Sequence, residues 1–362
     1  MQEFSASFTD ISEWDINRYV STGGTRSKEI AIHPKTEKQY FFKASKIDKH
    51  DNIKYPTEFW SEIVSSKVGQ LLGFTMLDYN IAYNKNNRQQ IGCISESMVE
   101  YEENKLTEGI TYLRGFDPQY DPELDQDKYT FQFICATLSH FNLDEYIIHI
   151  IEIIIYDSII GNSDRHQENW GTISYFKEAI AIYERDISSG YDGWLDRILS
   201  RMKRAITKTA IEQHEKTRFV RHSTLVLQNE IAPNTFAPIY DSGCCLAREK
   251  IDSKVEEMLK NRQMLEAYIK KGCSEIRWIN KTKKINHFDL VKLVMRENEE
   301  TVRRIIGQVK EKYNQEAIRN IILDIDSNLP EKLKEFKLSE QRKELMYNLI
   351  TLRLEKLFIL VE

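Results

Sequence analysis

Three polar residues in this 362-residue chain have the types that phosphoryl transfer requires. Asp164 is followed by four residues and then by Asn169, and both come after a very apolar segment that ends near residue 160. A second aspartate, Asp241, lies between an apolar run and Gly243. Phosphoryl transfer uses one carboxylate to orient and deprotonate the attacking hydroxyl, and an amide oxygen with a second carboxylate to hold Mg²⁺ on the phosphates. We therefore expect Asp164 to be the base and Asn169 and Asp241 to be magnesium ligands.

The spacing of Asp164 and Asn169 is that of the protein-kinase catalytic loop, and the Asp-Ser-Gly that begins at Asp241 stands where kinases carry Asp-Phe-Gly. Each pattern by itself is weak, because D-x-x-x-x-N arises often by chance and an aspartate in a turn is commonly structural. The position of the first pattern, after a buried helix and before a β-prone segment, strengthens it. His166, inside the loop, is expected to support the loop at the catalytic site rather than to react.

Two charged residues upstream are candidates for a nucleotide-binding pair. Lys43 ends the apolar β-prone run Tyr40-Phe41-Phe42, and Glu62 lies one step off the apolar stripe of a predicted helix. In protein kinases a strand lysine contacts the α- and β-phosphates while a helix glutamate holds its ammonium group. A lysine at a strand end is more often only solvated, so this assignment depends on the order of the whole set.

A loop with two adjacent glycines precedes the first predicted hairpin. Gly23 and Gly24 permit close backbone approach, and the N–H groups of the loop, with Arg26 or Lys28, are suited to hold phosphate oxygens. The loop is neither a Walker A sequence nor G-x-G-x-x-G, and a Gly-Gly pair is more often an ordinary turn. The order of the signals along the chain is what favours a phosphate-binding role for this loop. The glycine loop, strand lysine, helix glutamate, D-x-x-x-x-N and Asp-x-Gly follow one another as they do in kinases.

The hydrophobic pattern predicts an α+β, two-lobed protein-kinase-like fold. Residues 1–100 form a small β-rich amino-terminal lobe, and residues 101–362 form a larger, mostly helical lobe. Alternating and β-branched runs predict the strands, and apolar residues at helical spacing from Trp60 predict a helix that Gly73 ends. The predicted strands are 29–33, 39–44, 76–83 and 90–98. Residues 146–160 read as a helix buried on nearly all faces.

A long insert separates Asn169 from Asp241, where kinases have only a short hairpin. The chain places 71 residues there, and 197–222 within it contains eight Lys or Arg against two Asp or Glu. Apolar residues at helical spacing begin at Ile198, so we predict a basic helical insert at about 174–222. Two interpretations stay open: a solvated helix that packs beside the cleft, or an element that docks substrate or contacts nucleic acid.

Composition limits the class of protein. A net charge of −5 argues against a general nucleic-acid binder, and the five cysteines form no C-x-x-C pair or zinc-like cluster. Reduced thiols in a cytoplasmic protein are the expectation. The first 16 residues have no apolar core and so do not read as a secretory signal, and the most apolar run is too short to cross a bilayer comfortably. We therefore expect no membrane span.

These motifs resemble the HipA-type serine/threonine kinases, a bacterial family. The catalytic loop of that family reads much like Gly161–Asn169, and its metal segment is similar to Ala237–Asp241. The likeness covers roughly Val20 to Leu246 and, more loosely, the helical tail. It implies a protein serine/threonine kinase that uses ATP and Mg²⁺. The short amino-terminal part resembles the short HipT-like and CtkA-like members, which lack a subdomain before the glycine loop.

By position, the resemblance also implies roles for individual residues. The nucleotide site would comprise Ser21, Thr22, Gly23, Gly24, Lys43, Glu62, Glu96, Met98, Asn169 and Asp241. Glu96 and Met98 would lie at the hinge beside adenine. Ser21 stands where the family carries an autophosphorylated serine, and Thr22 is the alternative acceptor. Asp164 would be the base.

The same resemblance suggests partners. Related toxins phosphorylate aminoacyl-tRNA synthetases, so such an enzyme is one candidate protein substrate. A small antitoxin or a protein like the missing subdomain is a candidate partner, with nucleic acid contacted only indirectly. The expected place is the bacterial cytosol, or the host cytosol for a delivered effector. Two alternatives stay open: a phosphatidylinositol-type lipid kinase, which shares an Asp-Arg-His-x-x-Asn loop, and a non-catalytic kinase-like binding module.

Overall fold

The computed structural model describes residues 4–17, 29–48, 50, 52–100, 103–188, 198–208 and 222–362. The glycine loop with Ser21, Thr22, Gly23 and Gly24 lies outside these residues. The described chain is an α+β protein with a β-sheet amino-terminal region and a larger helical remainder, as the sequence predicts.

The chain divides into two compact units. The first comprises Met1–Ser97, Ile150–His166 and Pro238–Glu362, and the second comprises Met98–His149 and Gln167–Ala237. The predicted boundary between lobes near residue 100 and the predicted extent of the insert stay predictions.

A six-stranded sheet forms the amino-terminal part of the first unit. Its strands are β1 (Phe8–Asp10), β2 (Asp15–Asn17), β3 (Glu29–Ile32), β4 (Gln39–Lys43), β5 (Asn80–Tyr83) and β6 (Ile91–Glu96), in the order β1-β5-β6-β4-β3-β2. The predicted hairpin is present as β3 and β4, which pair antiparallel. Alternate side chains pack into one apolar layer under the sheet, made of Ile11, Ala31, Phe42, Ala82 and Ile94. Because successive side chains of a strand point to opposite faces, Lys43 at the end of β4 points away from the apolar layer that contains Phe42.

The predicted helix of the amino-terminal part is α1 (Glu58–Leu72). It ends at Gly73, whose φ of 88° is left-handed backbone that glycine adopts without a steric penalty. The helix is buried on almost every side, including the charged side chains of Glu58 and Glu62. A buried carboxylate is stable only when it is paired or hydrogen-bonded, so both glutamates must find partners inside the protein.

Helices form the remainder of the first unit. The most apolar of them, α4 (Ile147–Ile160), is buried on nearly all faces from Ile150 onward, as predicted. The carboxy-terminal helices are α8 (Asp252–Lys260), α9 (Arg262–Lys271), α10 (His287–Glu297), α11 (Glu299–Lys312), α12 (Gln315–Leu323) and α13 (Glu340–Phe358). In the part of the chain that the structure describes, no helix is both long and apolar enough to cross a membrane.

The second unit contains a three-stranded antiparallel sheet and helices. The strands are β7 (Lys105–Glu108), β8 (Gly171–Ser174) and β9 (Asn234–Phe236), and the helices are α2 (Gly109–Phe116), α3 (Phe131–His140), α5 (Phe176–Ser188), α6 (198–208) and α7 (His222–Ile231). The buried amide of Gln228 donates to Thr107 Oγ1 and to Ser174 Oγ, which ties α7 to the sheet. Of the predicted basic insert, residues 189–197 and 209–221 lie outside the described part.

His287, the first residue of α10, should make stability depend on pH. Burial, with a smaller contribution from Arg353, lowers its pKa well below the usual 6.5. The side chain therefore stays neutral when folded, whereas in the unfolded chain it gains a proton below about pH 6.5. Because the unfolded state then binds more protons, the free energy of unfolding should fall by up to about 1.4 kcal/mol per pH unit as pH drops below that value.

Urea unfolding of wild type and His287→Gln at neutral and mildly acidic pH tests this expectation. The glutamine variant should lose less stability on acidification than wild type, because it removes the titrating group. The same substitution at the exposed His50 should keep the wild-type slope. Parallel pH profiles for wild type and His287→Gln would contradict the assignment.

Candidate active site

Lys43, Glu62 and Asp241 form one buried cluster in the first unit. Lys43 is the last residue of β4 and is only 5% exposed. Its Nζ lies 2.9 Å from Asp241 Oδ1 and 3.7 Å from Glu62 Oε2. The lysine is thus buried between two carboxylates rather than solvated. The formal charge of these three side chains is −1, so a cation beside them is electrostatically favourable.

Glu62 also connects α1 to the segment that contains Asp241. Its Oε1 accepts a hydrogen bond of 2.7 Å from the backbone N–H of Ser242. One carboxylate oxygen therefore faces the lysine while the other holds the residue after Asp241. This arrangement makes the position of Asp241 depend on the position of α1.

The backbone at Asp241 is held in an unusual conformation. Its φ of 54° is in the left-handed region, which an aspartate adopts at a cost of about 1–2 kcal/mol. The N–H of Asp241 donates to the hydroxyl of Tyr79 at 3.4 Å, a long contact. Burial raises the pKa of Tyr79 well above its usual value, so its hydroxyl stays neutral. Non-glycine residues in this region are concentrated at functional sites.

The loop that carries Asp164 begins where α4 ends. Gly161 has a φ of 71°, and a Cβ there would lie 2.6 Å from the guanidinium of Arg353, so the position requires glycine. The side chain of Asn162 then accepts from the N–H of Asp164 at 3.2 Å and donates to Asp157 Oδ1 at 3.1 Å. The loop is thereby attached to the last turns of α4 before it reaches Asp164.

Arg165 joins the Asp164 loop to the Asp241 segment. Its side chain is fully buried and forms a two-bond ion pair with Asp157, at 2.9 and 3.0 Å. The same guanidinium donates to the carbonyl of Tyr240 at 2.5 Å and to Ser242 Oγ at 3.0 Å. The planar arginine fork suits such multiple contacts. Its burial and ion pair mean that removing either partner would leave an uncompensated charge inside the protein.

Cys244 contacts the candidate base directly. Its thiol donates to Asp164 Oδ2 at 3.1 Å, and the guanidinium of Arg248 lies 2.9 Å from its sulfur. Arg248 in turn is ion-paired with Glu58 in the first turn of α1. A chain of polar contacts therefore runs from the amino-terminal end of α1 to the candidate base. Neither Cys244 nor Arg248 lies in a sequence motif, so no local pattern marks either residue as part of the site.

Three further residues that the sequence predicts at the site are His166, Glu96 and Met98. His166 is half-buried in the first unit. Glu96, at the end of β6, is half-exposed, and its carboxylate bonds to Lys38 and to the hydroxyl of Tyr40. Met98 belongs to the second unit. Their predicted hinge and support roles stay predictions.

Asn169 also belongs to the second unit, where it is buried just before β8. The residue after it, Trp170, is well anchored, since its indole N–H donates to Tyr129 and its carbonyl accepts from the N–H of Gly109. The first unit thus brings together Lys43, Glu62 and Asp241, with Asp164 attached through Arg165 and Cys244.

A magnesium ion carried by a nucleotide is compatible with this chemistry. No group of three or more His, Cys, Asp or Glu side chains among the described residues is arranged to hold a metal ion by itself. Nucleotide-bound Mg²⁺ needs only one or two protein oxygens, because phosphate and water oxygens complete its coordination. Asp241 offers a carboxylate in a cluster with a net negative charge. Lys43 would hold phosphate oxygens.

Comparison with known proteins supports the fold. No protein-family model matches the sequence, and no curated protein matches it. Among solved structures, the crystal structure of the Helicobacter pylori proinflammatory kinase CtkA is similar, with a TM-score of 0.67 at 18% sequence identity. The likeness covers 97% of this chain and 96% of that chain. The chain therefore has a protein-kinase-like fold of the α+β class.

Proposed function

We propose that this chain is an ATP- and magnesium-dependent protein serine/threonine kinase of HipA-like type. The observation that carries the proposal is the buried cluster of Lys43, Glu62 and Asp241, attached through Arg165 to the loop of Asp164, on a kinase-like fold. Each of these residues has a type that phosphoryl transfer needs, and they follow one another along the chain as they do in kinases. The similar solved structure is also that of a kinase.

Each residue would have a distinct role in the transfer of phosphate. Lys43, oriented by Glu62, would bind phosphate oxygens of ATP, and Asp241 with Asn169 would hold the Mg²⁺ that neutralises charge on the phosphates. Asp164 would accept a hydrogen bond from the substrate hydroxyl and take its proton as the hydroxyl oxygen bonds to the γ-phosphorus and the bond from that phosphorus to the leaving ADP breaks. The thiol of Cys244 on Oδ2 of Asp164 supports this role, since it restricts the rotation of the carboxylate.

Incubation with radiolabelled ATP and Mg²⁺ tests the proposal directly. Wild type should transfer label to itself or to a protein in a bacterial lysate, and phosphoamino-acid analysis should find phosphoserine or phosphothreonine. Asp164→Asn should transfer little. Label on phosphatidylinositol vesicles instead of protein would support a lipid kinase, and ATP binding without transfer to either would support a non-catalytic module.

The same labelling assay can identify the physiological substrate. We propose an aminoacyl-tRNA synthetase as the first candidate, because related toxins act on such enzymes. Purified synthetases offered one at a time should show label on one of them and loss of aminoacylation by that one. A labelled protein of another class would keep the kinase proposal and replace this substrate.

Ser21 is expected to act as an off-switch when phosphorylated. It precedes Gly23 by two residues in the loop expected to cover the triphosphate. Phosphate there would add about −1.5 to −2 charges near Arg26 and Lys28 and would compete with ATP for the same N–H groups. We therefore expect phosphorylation at Ser21, or at Thr22, to lower ATP affinity.

Mass spectrometry of wild type and Asp164→Asn distinguishes the switch from an ordinary polar turn. Phosphate on the loop only in the active protein supports self-modification, and Ser21→Glu should then weaken ATP binding while Ser21→Ala does not. An unmodified loop in a preparation that phosphorylates other proteins would overturn the switch.

Cys244 should affect turnover through Asp164. Cys244→Ala removes one hydrogen bond to the base, and a bond worth about 1 kcal/mol corresponds to about a fivefold lower kcat. Cys244→Ser keeps a donor and should recover most of the loss, with the KM for ATP unchanged in both. Steady-state kinetics measures this.

Cys245→Ala is the matched control, since the sulfur of that buried neighbour contacts the carbonyl of Ser61 at 3.9 Å rather than the base. Equal kinetic effects of the two alanine substitutions would mean that Cys244 contributes only to packing.

A further inference from the structure

A basic cleft lies on the carboxy-terminal helices of the first unit. It has a volume of about 640 Å³ and is formed by the loop between α9 and α10 together with one face of α10. Its cationic side chains are Lys281, Lys283, Lys284, Lys292 and Arg296, and Asp289 is the one acidic residue among the described residues of the lining. All five cations are exposed. This concentration of positive charge departs from the net charge of −5 of the whole chain.

Much of this positive charge is not neutralised within the protein. Lys284 pairs with Glu275, and Lys292 lies 3.3 Å from Asp289. Lys281, Lys283 and Arg296 make no ion pair with any residue in the described part of the chain. Five cations against two carboxylates leave an excess of positive potential at the cleft, and a concave shape concentrates such a field.

The walls of the cleft are held in place from within. Arg277 is buried, and its guanidinium donates to the carbonyl of Thr282. The amide of Asn286 caps α10 and donates to the carbonyls of Lys270 and Gly272, at 3.0 and 2.9 Å. Ser274 N–H also bonds to Ile285 across the loop. These contacts make the loop a fixed surface, which lowers the entropy lost when a partner binds.

The lining of the cleft discriminates between anionic partners. Ile285 and Leu293 are half-buried and supply apolar surface beneath the cations. Among the described residues that line the cleft, none carries an aromatic side chain. Single-stranded nucleic acid depends on aromatic side chains for base stacking, so the lining disfavours it. An acidic peptide with an aliphatic side chain matches both the cations and the apolar surface.

We propose that the basic cleft docks an acidic segment of a partner polypeptide that carries an aliphatic residue among its carboxylates. Carboxylates bind Lys281, Lys283 and Arg296, and the aliphatic side chain packs on Ile285 and Leu293. This docking is independent of phosphate transfer, because none of these residues belongs to the candidate active site. Docking at the basic cleft selects the partner polypeptide, whichever reaction the candidate active site catalyses.

Fluorescence anisotropy with a labelled peptide tests the cleft. The probe is a short peptide of alternating Glu and Asp around a central Leu, and the comparison probes are its Gln/Asn counterpart, its Leu→Ser form and a single-stranded DNA oligonucleotide. The acidic peptide should bind more tightly than all three. Its affinity should fall as salt rises, because the charges lie at the surface.

Two double variants locate the binding. Lys281→Glu/Lys283→Glu should weaken the acidic peptide at least about tenfold, since like charges then face one another. Lys260→Glu/Lys332→Glu makes the same change in net charge on exposed residues outside the cleft and should keep wild-type affinity. Asp164→Asn should also bind as wild type does, so the result does not depend on kinase activity. Circular dichroism checks that each variant is folded.

Three outcomes would overturn the proposal. One is no binding of the acidic peptide by folded wild type. Another is equal loss in the two double variants, which would mean that only net charge matters. The third is tighter binding of DNA than of peptide with the same dependence on Lys281 and Lys283, which would assign the cleft to nucleic acid.

Discussion

Asp164→Asn should lower the rate of phosphate transfer by about 10²–10⁴-fold, the usual contribution of a positioned base. The amide cannot accept the proton of the substrate hydroxyl, but it retains the size of the carboxylate and oxygen for the thiol of Cys244, which donates at 3.1 Å in wild type. ATP affinity should therefore change little. Single-turnover kinetics with radiolabelled ATP gives the rate, and calorimetry with a non-hydrolysable analogue gives the affinity.

Ser163→Ala is the matched control, because Ser163 is exposed and directly precedes Asp164 in the same loop. It should retain the rate within a small factor. If Asp164→Asn instead lost ATP affinity and kept its rate, the roles of Asp164 and Asp241 would be exchanged.

Asp241→Asn should abolish transfer supported by magnesium, with a loss above about 10³-fold, because a metal ion at the phosphates contributes several kcal/mol to the transition state. The neutral amide removes the charge that holds the cation and also removes the carboxylate 2.9 Å from the ammonium of Lys43. We expect the fold to persist, since the Asp241 segment is still held by Glu62 and Arg165. Magnesium titration of the rate measures the loss.

Lys43→Met provides the comparison within the same cluster. It removes the positive charge but leaves the carboxylate of Asp241, so it should weaken ATP binding while some dependence on magnesium remains. Circular dichroism and thermal unfolding show whether each variant is folded. Near-normal activity of folded Asp241→Asn with magnesium would refute the assignment of Asp241 as the metal ligand.

The order and type of the candidate site residues could be predicted from the sequence because their signals are local. A β-prone run ending in Lys43 and an apolar helical repeat that contains Glu62 and ends at Gly73 each depend on neighbouring residues. The structure places β4 and α1 where these patterns predict them. The D-x-x-x-x-N spacing and the Asp-Ser-Gly turn are short patterns of the same kind. Their grouping in three dimensions was an inference from kinase order, and the observed distances from Lys43 to Glu62 and Asp241 agree with it.

Only the tertiary structure decided which residues hold the candidate base and which side chains far apart in the sequence contact one another. Cys244 contacts Asp164 from 80 positions away, and Arg165 reaches Ser242 from 77 positions away. The sequence of β1 by itself shows no clear alternation of apolar and polar residues. It forms a strand because it pairs with β5. Contacts between residues so far apart leave no periodic pattern, since each residue alone resembles any other buried cysteine, arginine or short polar segment. Folding determines these contacts because buried polar groups must find partners that the local chain does not supply.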